Sequence, residues 1–272
     1  MLDGALSTRC LSADELSVRS ETSRCAERAT RKALPGEARS RVRARGVNAA
    51  RFSETDQGLP TGLRSDEEFE RQRFEALLGL ALAAERDEGA SEHAERVART
   101  AFGLAQQLGF SRREAAFIYQ AAPLHDLGKI VVSAELLMRP GKLSADEFEQ
   151  VKIHTTAGAG LLAFGDSPLL RLASEIALAH HERWDGSGYP AGLCGEDIPL
   201  SGRIVALADV FDALTHERPY KRAWPLADAI AELRRLRGTH FDPHVVDAFL
   251  RPVRSGAASV STLLPGSIAA TR

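Results

Sequence analysis

Seven histidine and aspartate side chains are of the types and in the settings that could bind metal ions. They are His93, His125, Asp126, His154, His180, His181 and Asp209. Each imidazole taken alone is more often a hydrogen-bonded core histidine than a ligand. Burying so many polar groups in one core without partners would cost several kcal/mol each, and a cation is the usual remedy. Imidazole and carboxylate donors suit iron, manganese or zinc better than magnesium or calcium.

The spacing of these residues favours two ions over one. Adjacent residues on a helix project about 100° apart. We therefore expect His125 and Asp126, and likewise His180 and His181, to serve two neighbouring ions. The economical arrangement is a dinuclear site in which Asp126 is the bridging ligand. Paired ions activate a shared water and hold both the attacking and leaving oxygens of a phosphoester, so the set indicates phosphoryl chemistry.

Three cations flank this set and could neutralise phosphate oxygens. Lys129 follows the His125-Asp126 pair by one turn in an apolar context, which places it near the metal site. Arg218 and Lys221 lie in a short loop after the segment of Asp209, where exposed basic residues without a function are an equally good interpretation.

Helix signals indicate how these residues are positioned. Capping boxes start helices at Ser65, Ser111 and Ser144, and further starts are predicted at Ser167, Ser201, Pro225 and Asp242. His93, His154 and His180 fall on the apolar faces of their helices, and Pro123 should interrupt the helix that leads to His125. Asp212 lies one turn after Asp209, where it could orient a loop or a ligand or simply bond a helix end. No strand alternation is evident, so we expect an all-α fold.

The ends of the chain differ in composition from its middle. Residues 1–64 are rich in Arg, Ser, Ala and Glu with little periodicity, which predicts a disordered or weakly helical leader before a domain at 65–252 and a flexible tail at 253–272. A net charge of −2 gives no reason to expect nucleic-acid binding. No apolar run reaches the roughly 20 residues of a membrane span. Three widely spaced cysteines indicate neither a disulfide framework nor a thiolate zinc site, so we expect a cytoplasmic protein.

Two segments together resemble the HD-GYP family, a subgroup of the HD phosphohydrolases. They are His125-Asp126-Leu127-Gly128-Lys129 and the run from His180 to Pro190, HHERWDGSGYP. The resemblance continues through Pro140-Gly141-Lys142-Leu143, His154, the segment Ala208–Leu214 and Arg218-Pro219-Tyr220-Lys221, and covers roughly residues 70 to 252.

The resemblance implies an HD-domain helical bundle with C-terminal HD-GYP helices that hydrolyses cyclic di-GMP to pGpG and, in some members, on to GMP. By position the seven residues above match the metal ligands, Asp126 and Lys129 are catalytic, and Lys129, Tyr189, Arg218 and Lys221 contact the substrate. Two divalent ions are implied, iron first and manganese as the alternative. The loop of Tyr189 is also implied to dock diguanylate cyclase (GGDEF) domains.

One departure from the family bears on the number of ions. Some members bind a third metal through a Glu four residues before the first histidine, and this chain has Gly89 there, which favours a dinuclear site although Glu88 and Glu92 are close by. Two other functions stay open. One is hydrolysis of another cyclic dinucleotide or nucleotide, and the other is a catalytically silent adaptor that binds GGDEF domains.

Overall fold

The computed structural model describes residues 66–85, 89–164, 167–217 and 222–251. Within these ranges the chain forms nine α-helices, three short 3₁₀ turns and no strand, which confirms the all-α prediction. The helices are α1 Asp66–Glu85, α2 Ala90–Gln107, α3 Arg112–Ala121, α4 Ala134–Met138, α5 Ala145–Leu162, α6 Pro168–Ala179, α7 Leu200–Thr215, α8 Leu226–Arg235 and α9 Pro243–Phe249. The leader and tail predicted from composition lie outside the described residues. None of the described helices has the length and apolar character to span a bilayer.

Side-chain hydrogen bonds explain where three of these helices begin. Ser111 and Ser144 both form the predicted capping boxes, and Asp242 accepts a hydrogen bond from the backbone N–H of His244 at 2.7 Å. The predicted cap at Ser201 is wrong, because α7 already begins at Leu200 and the Ser201 hydroxyl donates to Glu175 on α6 instead.

Pro123 ends α3 as its chemistry predicts. A proline inside a helix lacks the N–H donor, and its ring crowds the carbonyl four residues earlier. The α-helix stops at Ala121, and the chain continues as 3₁₀ turns at Ala122–Leu124 and Leu127–Val131. His125 and Asp126 therefore lie between two tight turns, not on a regular helix.

The core forms where α2 packs against α3 and α7, and α5 packs against α6. Many of its side chains are small, including Ala98, Ala101 and Ala208, each of which is fully buried. Small side chains let helix backbones approach closely. His93 is on the same buried face of α2 as Ala101, as the sequence pattern predicted.

The closest backbone approach joins the 3₁₀ turn Leu127–Val131 to α5. A Cβ built on Gly128 would collide with the carbonyl oxygen of His154 and lie 2.5 Å from the amide nitrogen of Gly158. Gly158 faces the same crossing, since its own Cβ would lie 3.0 Å from the Gly128 nitrogen. Only glycine fits at Gly128, and this contact brings His154 to the turn that carries Asp126.

We predict that Gly128→Ala destabilises the fold by about 3 kcal/mol or more, because backbone and not a flexible side chain must move to admit the methyl group. Urea unfolding followed by circular dichroism measures the change. Gly160→Ala is the matched control in α5, since a Cβ there meets nothing within 4 Å. It should stabilise the protein by up to about 1 kcal/mol through helix propensity. Equal stabilities of the two variants would contradict this account of the crossing.

Candidate metal centre

The seven side chains singled out in the sequence converge into two groups. One contains Asp126, His154, His180 and His181, and the other contains His93, His125 and Asp209. In each group one nitrogen or oxygen from every residue lies within 4.8 Å of the others. All of them are buried except His181, which is half-buried. Both groups therefore have donor atoms of the right kinds, close enough together to hold a metal ion.

Asp126 lies between the two groups. Its Oδ1 is 3.3 Å from Nε2 of His154 and 3.6 Å from Nε2 of His180. Its Oδ2 is 3.1 Å from Nε2 of His125, which belongs to the other group. One carboxylate oxygen thus faces each group, and this is the arrangement that a bridging ligand requires.

Backbone carbonyls fix the orientation of three of the imidazoles. Nδ1 of His125 lies 2.8 Å from the carbonyl of Ala122, and Nδ1 of His154 lies 2.7 Å from that of Val151. His180 has the same kind of partner, the carbonyl of Ala177, at 3.0 Å. A hydrogen on Nδ1 satisfies each of these bonds and leaves the Nε2 lone pair facing Asp126, which is the tautomer needed for metal binding.

The prediction that His180 and His181 serve different ions is wrong in this geometry. Both belong to the same group, and their ring centroids are 4.1 Å apart. The 100° separation applies to residues inside a helix, whereas α6 ends at Ala179 and His180 is its C-cap. The turn after His180 brings the second imidazole round to the same side. His125 and Asp126 do divide between the groups, as expected.

The buried atoms of the site fit a cation. Nε2 of His125 and Oδ1 of Asp126 are buried and make no hydrogen bond. A buried polar atom left without a partner costs about 1–3 kcal/mol. A positive charge between a nitrogen and an oxygen, either a proton or a metal ion, satisfies lone pairs that face one another. Nitrogen and oxygen donors in this mixture suit a borderline transition metal.

Electrostatics keep Asp126, His154 and His181 in the protonation states that ligands need, whereas His125 holds a proton at neutral pH that a bound ion would displace. Burial raises the pKa of Asp126, but the Lys129 ammonium and the neighbouring His125 outweigh it and hold the carboxyl well below its usual range. Burial lowers the pKa of His154 to about 4 and that of His181 well below its ordinary value. Burial also acts to lower the pKa of His125, yet the charge of Asp126 raises it to about 9. The Asp126 carboxylate therefore favours positive charge on the side of His125 and Lys129.

Lys129 is buried beside Asp126, as its sequence context predicted, but it has a second partner. Its Nζ lies 2.6 Å from Oδ2 of Asp126 and 2.9 and 3.0 Å from the two carboxylate oxygens of Glu85 at the end of α1. Sequence reasoning missed Glu85. The available signal was its position four residues after the buried Ala81, which places an acid on the apolar face of α1.

Asp212 orients His93, which resolves the alternatives left open for this residue. Its Oδ2 lies 2.6 Å from Nδ1 of His93, and its Oδ1 lies 2.5 Å from Nε of Arg96 and 3.0 Å from Nδ1 of His216. Burial alone would raise the pKa of Asp212, but hydrogen bonds from His216, His93 and Arg96 hold it far below its usual value. A permanent carboxylate therefore fixes His93 so that Nε2 faces Asp209, 3.5 Å away.

The loop between α6 and α7 is built around a buried carboxylate. Glu182 accepts hydrogen bonds from the backbone N–H groups of Ala191 and Leu193 at 2.8 and 2.9 Å. A Cβ on Gly188 would lie 2.6 Å from the Cα of Glu182, so the loop turns back tightly on itself. The Tyr189–Pro190 peptide bond in this loop is cis.

The other residues predicted from the sequence do not belong to the two ligand groups found among the described residues. Tyr189 lies against the site, with its ring centroid 4.8 Å from that of His181. Arg218 and Lys221 lie outside the described residues, as does Glu88. Glu92 is exposed at the start of α2 and belongs to neither ligand group.

Comparisons with known proteins show which proteins this chain is similar to. A family model for the HD domain matches residues 80–245. The cyclic di-GMP phosphodiesterase response regulator RpfG of Xanthomonas campestris is 50% identical over 190 residues, which are 70% of this chain and 50% of that protein. A cyclic di-GMP phosphodiesterase of Thermotoga maritima is 48% identical over 185 residues, 68% of this chain and 50% of its own. The 3'3'-cGAMP-specific phosphodiesterase 2 of Vibrio cholerae is 44% identical over 177 residues, 65% of this chain and 34% of its own. The chain spans about half the length, or less, of these relatives.

We predict that Asp212→Asn weakens the binding of one metal ion by about 10- to 100-fold, the range typical when a group that hydrogen-bonds a ligand histidine is lost. The neutral amide keeps the size of the side chain but loses the charge that orients His93. Titration calorimetry of Mn²⁺ into metal-free protein measures the affinity. Asp247→Asn is the control, because Asp247 pairs with Arg237 at the surface. Equal affinities in the two variants would contradict the role given to Asp212.

Proposed function

Because this chain belongs to the HD domain family, we propose that it is a metal-dependent phosphodiesterase that hydrolyses cyclic di-GMP to the linear dinucleotide pGpG. The observation that carries the proposal is the position of Asp126, whose two oxygens face two groups of buried donors. The names of the most similar relatives supply the substrate. Further hydrolysis of pGpG to GMP is a second activity that the same product analysis will detect.

Two divalent ions are proposed, one in each ligand group with Asp126 shared between them. We favour iron, with manganese as the alternative, because the resemblance to the HD-GYP family implies them, and both accept imidazole and carboxylate ligands. When bound, such ions supply an activated water at neutral pH and positive charge next to the phosphate. The chain's own contribution is to hold the donors in a dry interior before any ion arrives.

Asp126 and Lys129 are the proposed catalytic pair. Lys129 can donate three hydrogen bonds, and two carboxylates occupy its ammonium: Oδ2 of Asp126 and both oxygens of Glu85. Its first effect is to hold Asp126 in place and keep it ionised. A substrate phosphate would gain a hydrogen bond from Lys129 by taking the place of one of the Glu85 oxygens, which leaves the bond to Asp126 intact.

Arg218 and Lys221 are proposed to bind the phosphates from the segment after α7, which carries Asp209. Guanidinium and ammonium groups make charge-assisted hydrogen bonds to phosphate oxygens. The resemblance to the HD-GYP family implies that Tyr189 also contacts the substrate. The ring of Tyr189 lies beside that of His181.

A second substrate class is supported by a specific observation. The relative from Vibrio cholerae that is 44% identical acts on 3'3'-cGAMP by its name. Cyclic di-GMP and 3'3'-cGAMP share the cyclic phosphate backbone and differ in one base, so the metal centre would serve either one. The choice between them belongs to residues that read the base.

The proposal predicts that the protein, prepared without oxygen and loaded with iron or manganese, converts cyclic di-GMP to pGpG faster than it converts 3'3'-cGAMP. Chromatography of the products from both substrates measures the two rates. Faster turnover of 3'3'-cGAMP would replace the substrate and keep the enzyme class. Turnover of neither would contradict the enzymatic proposal and favour the adaptor.

We predict that His125→Ala lowers turnover by more than about 100-fold. Loss of a hydrogen-bond partner of a ligand typically costs about 10- to 100-fold, and loss of the ligand itself should cost more. The metal content should fall from two ions per chain, one for each group, toward one. Elemental analysis and the product assay measure the two effects. His244→Ala is the matched control, because this histidine is exposed on α9 and should change neither quantity. Loss of activity with two ions still bound would contradict the role of His125 as a ligand.

A further inference from the structure

His181 differs from the other ligand imidazoles in how it is held. His125, His154 and His180 each have a backbone carbonyl within hydrogen-bonding distance of Nδ1, and His93 has Asp212. In the described part of the chain, the ring nitrogens of His181 have no such hydrogen bond. An unfixed ring could rotate about its side-chain bonds and would lose entropy on binding a metal. Something other than a hydrogen bond must orient this imidazole.

The His181 ring meets those of His154, His180 and Tyr189, and among these three only Tyr189 is not itself a proposed ligand. The rings of His181 and Tyr189 are stacked, with centroids 4.8 Å apart and planes 26° from parallel. Stacked aromatic rings at this separation attract one another beyond the simple burial of apolar surface. The backbone N–H of Tyr189 also donates to the carbonyl oxygen of His181 at 3.2 Å, so both the main chain and the ring of Tyr189 are tied to the same residue.

Two residues of α5 hold the Tyr189 ring in turn. The edge of Phe148 meets it with ring centroids 5.8 Å apart and planes 86° apart. The Nζ of Lys152 lies 5.4 Å from the Tyr189 centroid and 4.9 Å from that of Phe148, within the range of a cation–π contact. Phe148 and Lys152 therefore both contact the Tyr189 ring. Since α5 also carries His154, one helix supplies both a ligand and the support for another.

The loop that carries Tyr189 is itself fixed. Glu182 binds the backbone of Ala191 and Leu193 on the far side of the tyrosine, and Gly188 packs directly against the backbone at Glu182. These contacts fix the backbone on both sides of Tyr189, and so the point from which its ring reaches His181.

We propose that Tyr189, supported by Phe148 and Lys152, is a positioning residue that holds the imidazole of His181 in the geometry needed to bind a metal ion. The inference rests on the proposed function only in taking His181 as a ligand. Neither contact with the substrate base nor docking of a GGDEF domain is needed to explain the placement of the ring. The role belongs to the aromatic face of Tyr189, not to its hydroxyl group.

The test is the affinity of the full, metal-free chain for Mn²⁺, measured by titration calorimetry in the absence of any nucleotide. Tyr189→Leu should weaken one of the two binding events by about tenfold or more, the effect expected when support for a ligand is lost. Tyr189→Phe keeps the aromatic face and should bind within about twofold of the wild type. Phe148→Leu should show a smaller loss at the same binding event, and it keeps the test decisive if Tyr189→Leu does not fold.

The matched control is Phe164→Leu, which removes an exposed aromatic ring just after α5 and should leave Mn²⁺ binding unchanged. The inference is overturned if Tyr189→Leu and Phe148→Leu bind both ions as tightly as the wild type. A raised KM for cyclic di-GMP with unchanged metal affinity would assign Tyr189 to the substrate instead. Lost capture of a purified GGDEF domain with unchanged metal affinity would assign it to a partner. Because Mn²⁺ binding is measured without substrate, absence of phosphodiesterase activity would leave this test intact.

Discussion

The burial of the Asp126 carboxylate is the constraint on which the rest of the structure depends. An ionised carboxylate in a protein interior is strongly unfavourable unless opposite charge and hydrogen-bond donors surround it. Lys129 provides one charge at 2.6 Å, and Glu85 in turn balances the lysine. Oδ1 of Asp126 is left facing His154 and His180 with no hydrogen bond. The Asp126 carboxylate is thus only partly neutralised, and further positive charge next to it would be favourable. The side chains around it come from several helices.

Convergence on one carboxylate requires backbones that approach more closely than large side chains allow. Gly128 lies directly against the carbonyl oxygen of His154, and Gly202 on α7 meets Ala179 at the end of α6, where a Cβ would be 2.7 Å from the alanine methyl. Both crossings lie next to proposed ligands, the first beside Asp126 and the second beside His180. The small residues of the core are therefore part of the metal centre's geometry, because they set the distances between its ligands.

Local rules predicted much of the fold from the sequence. Ser111 and Ser144 start helices where their capping boxes indicate, and Pro123 ends one, because these effects depend on a few neighbouring residues. The apolar faces also identified the inward-pointing histidines. Helical periodicity failed at His181, since the helix ends two residues earlier. The position of Glu85 on the apolar face of α1 marked it as an unusual acid, but its partner Lys129 lies 44 residues away in the chain, and no local pattern encodes that contact.

The two proposed ligand groups differ in how many donors they offer a metal ion and in how much negative charge they carry. The group of His154, His180 and His181 has three imidazoles, and the hydrogen bonds that orient His154 and His180 go to neutral backbone carbonyls. The smaller group contains the carboxylate of Asp209, and behind His93 stands a second one, Asp212. A carboxylate partner makes a stronger hydrogen bond and raises the basicity of the imidazole that it orients. Charge in the smaller group therefore offsets its lower number of donors, and Asp126, with one oxygen toward each group, couples two sites that differ in ligand number and in charge.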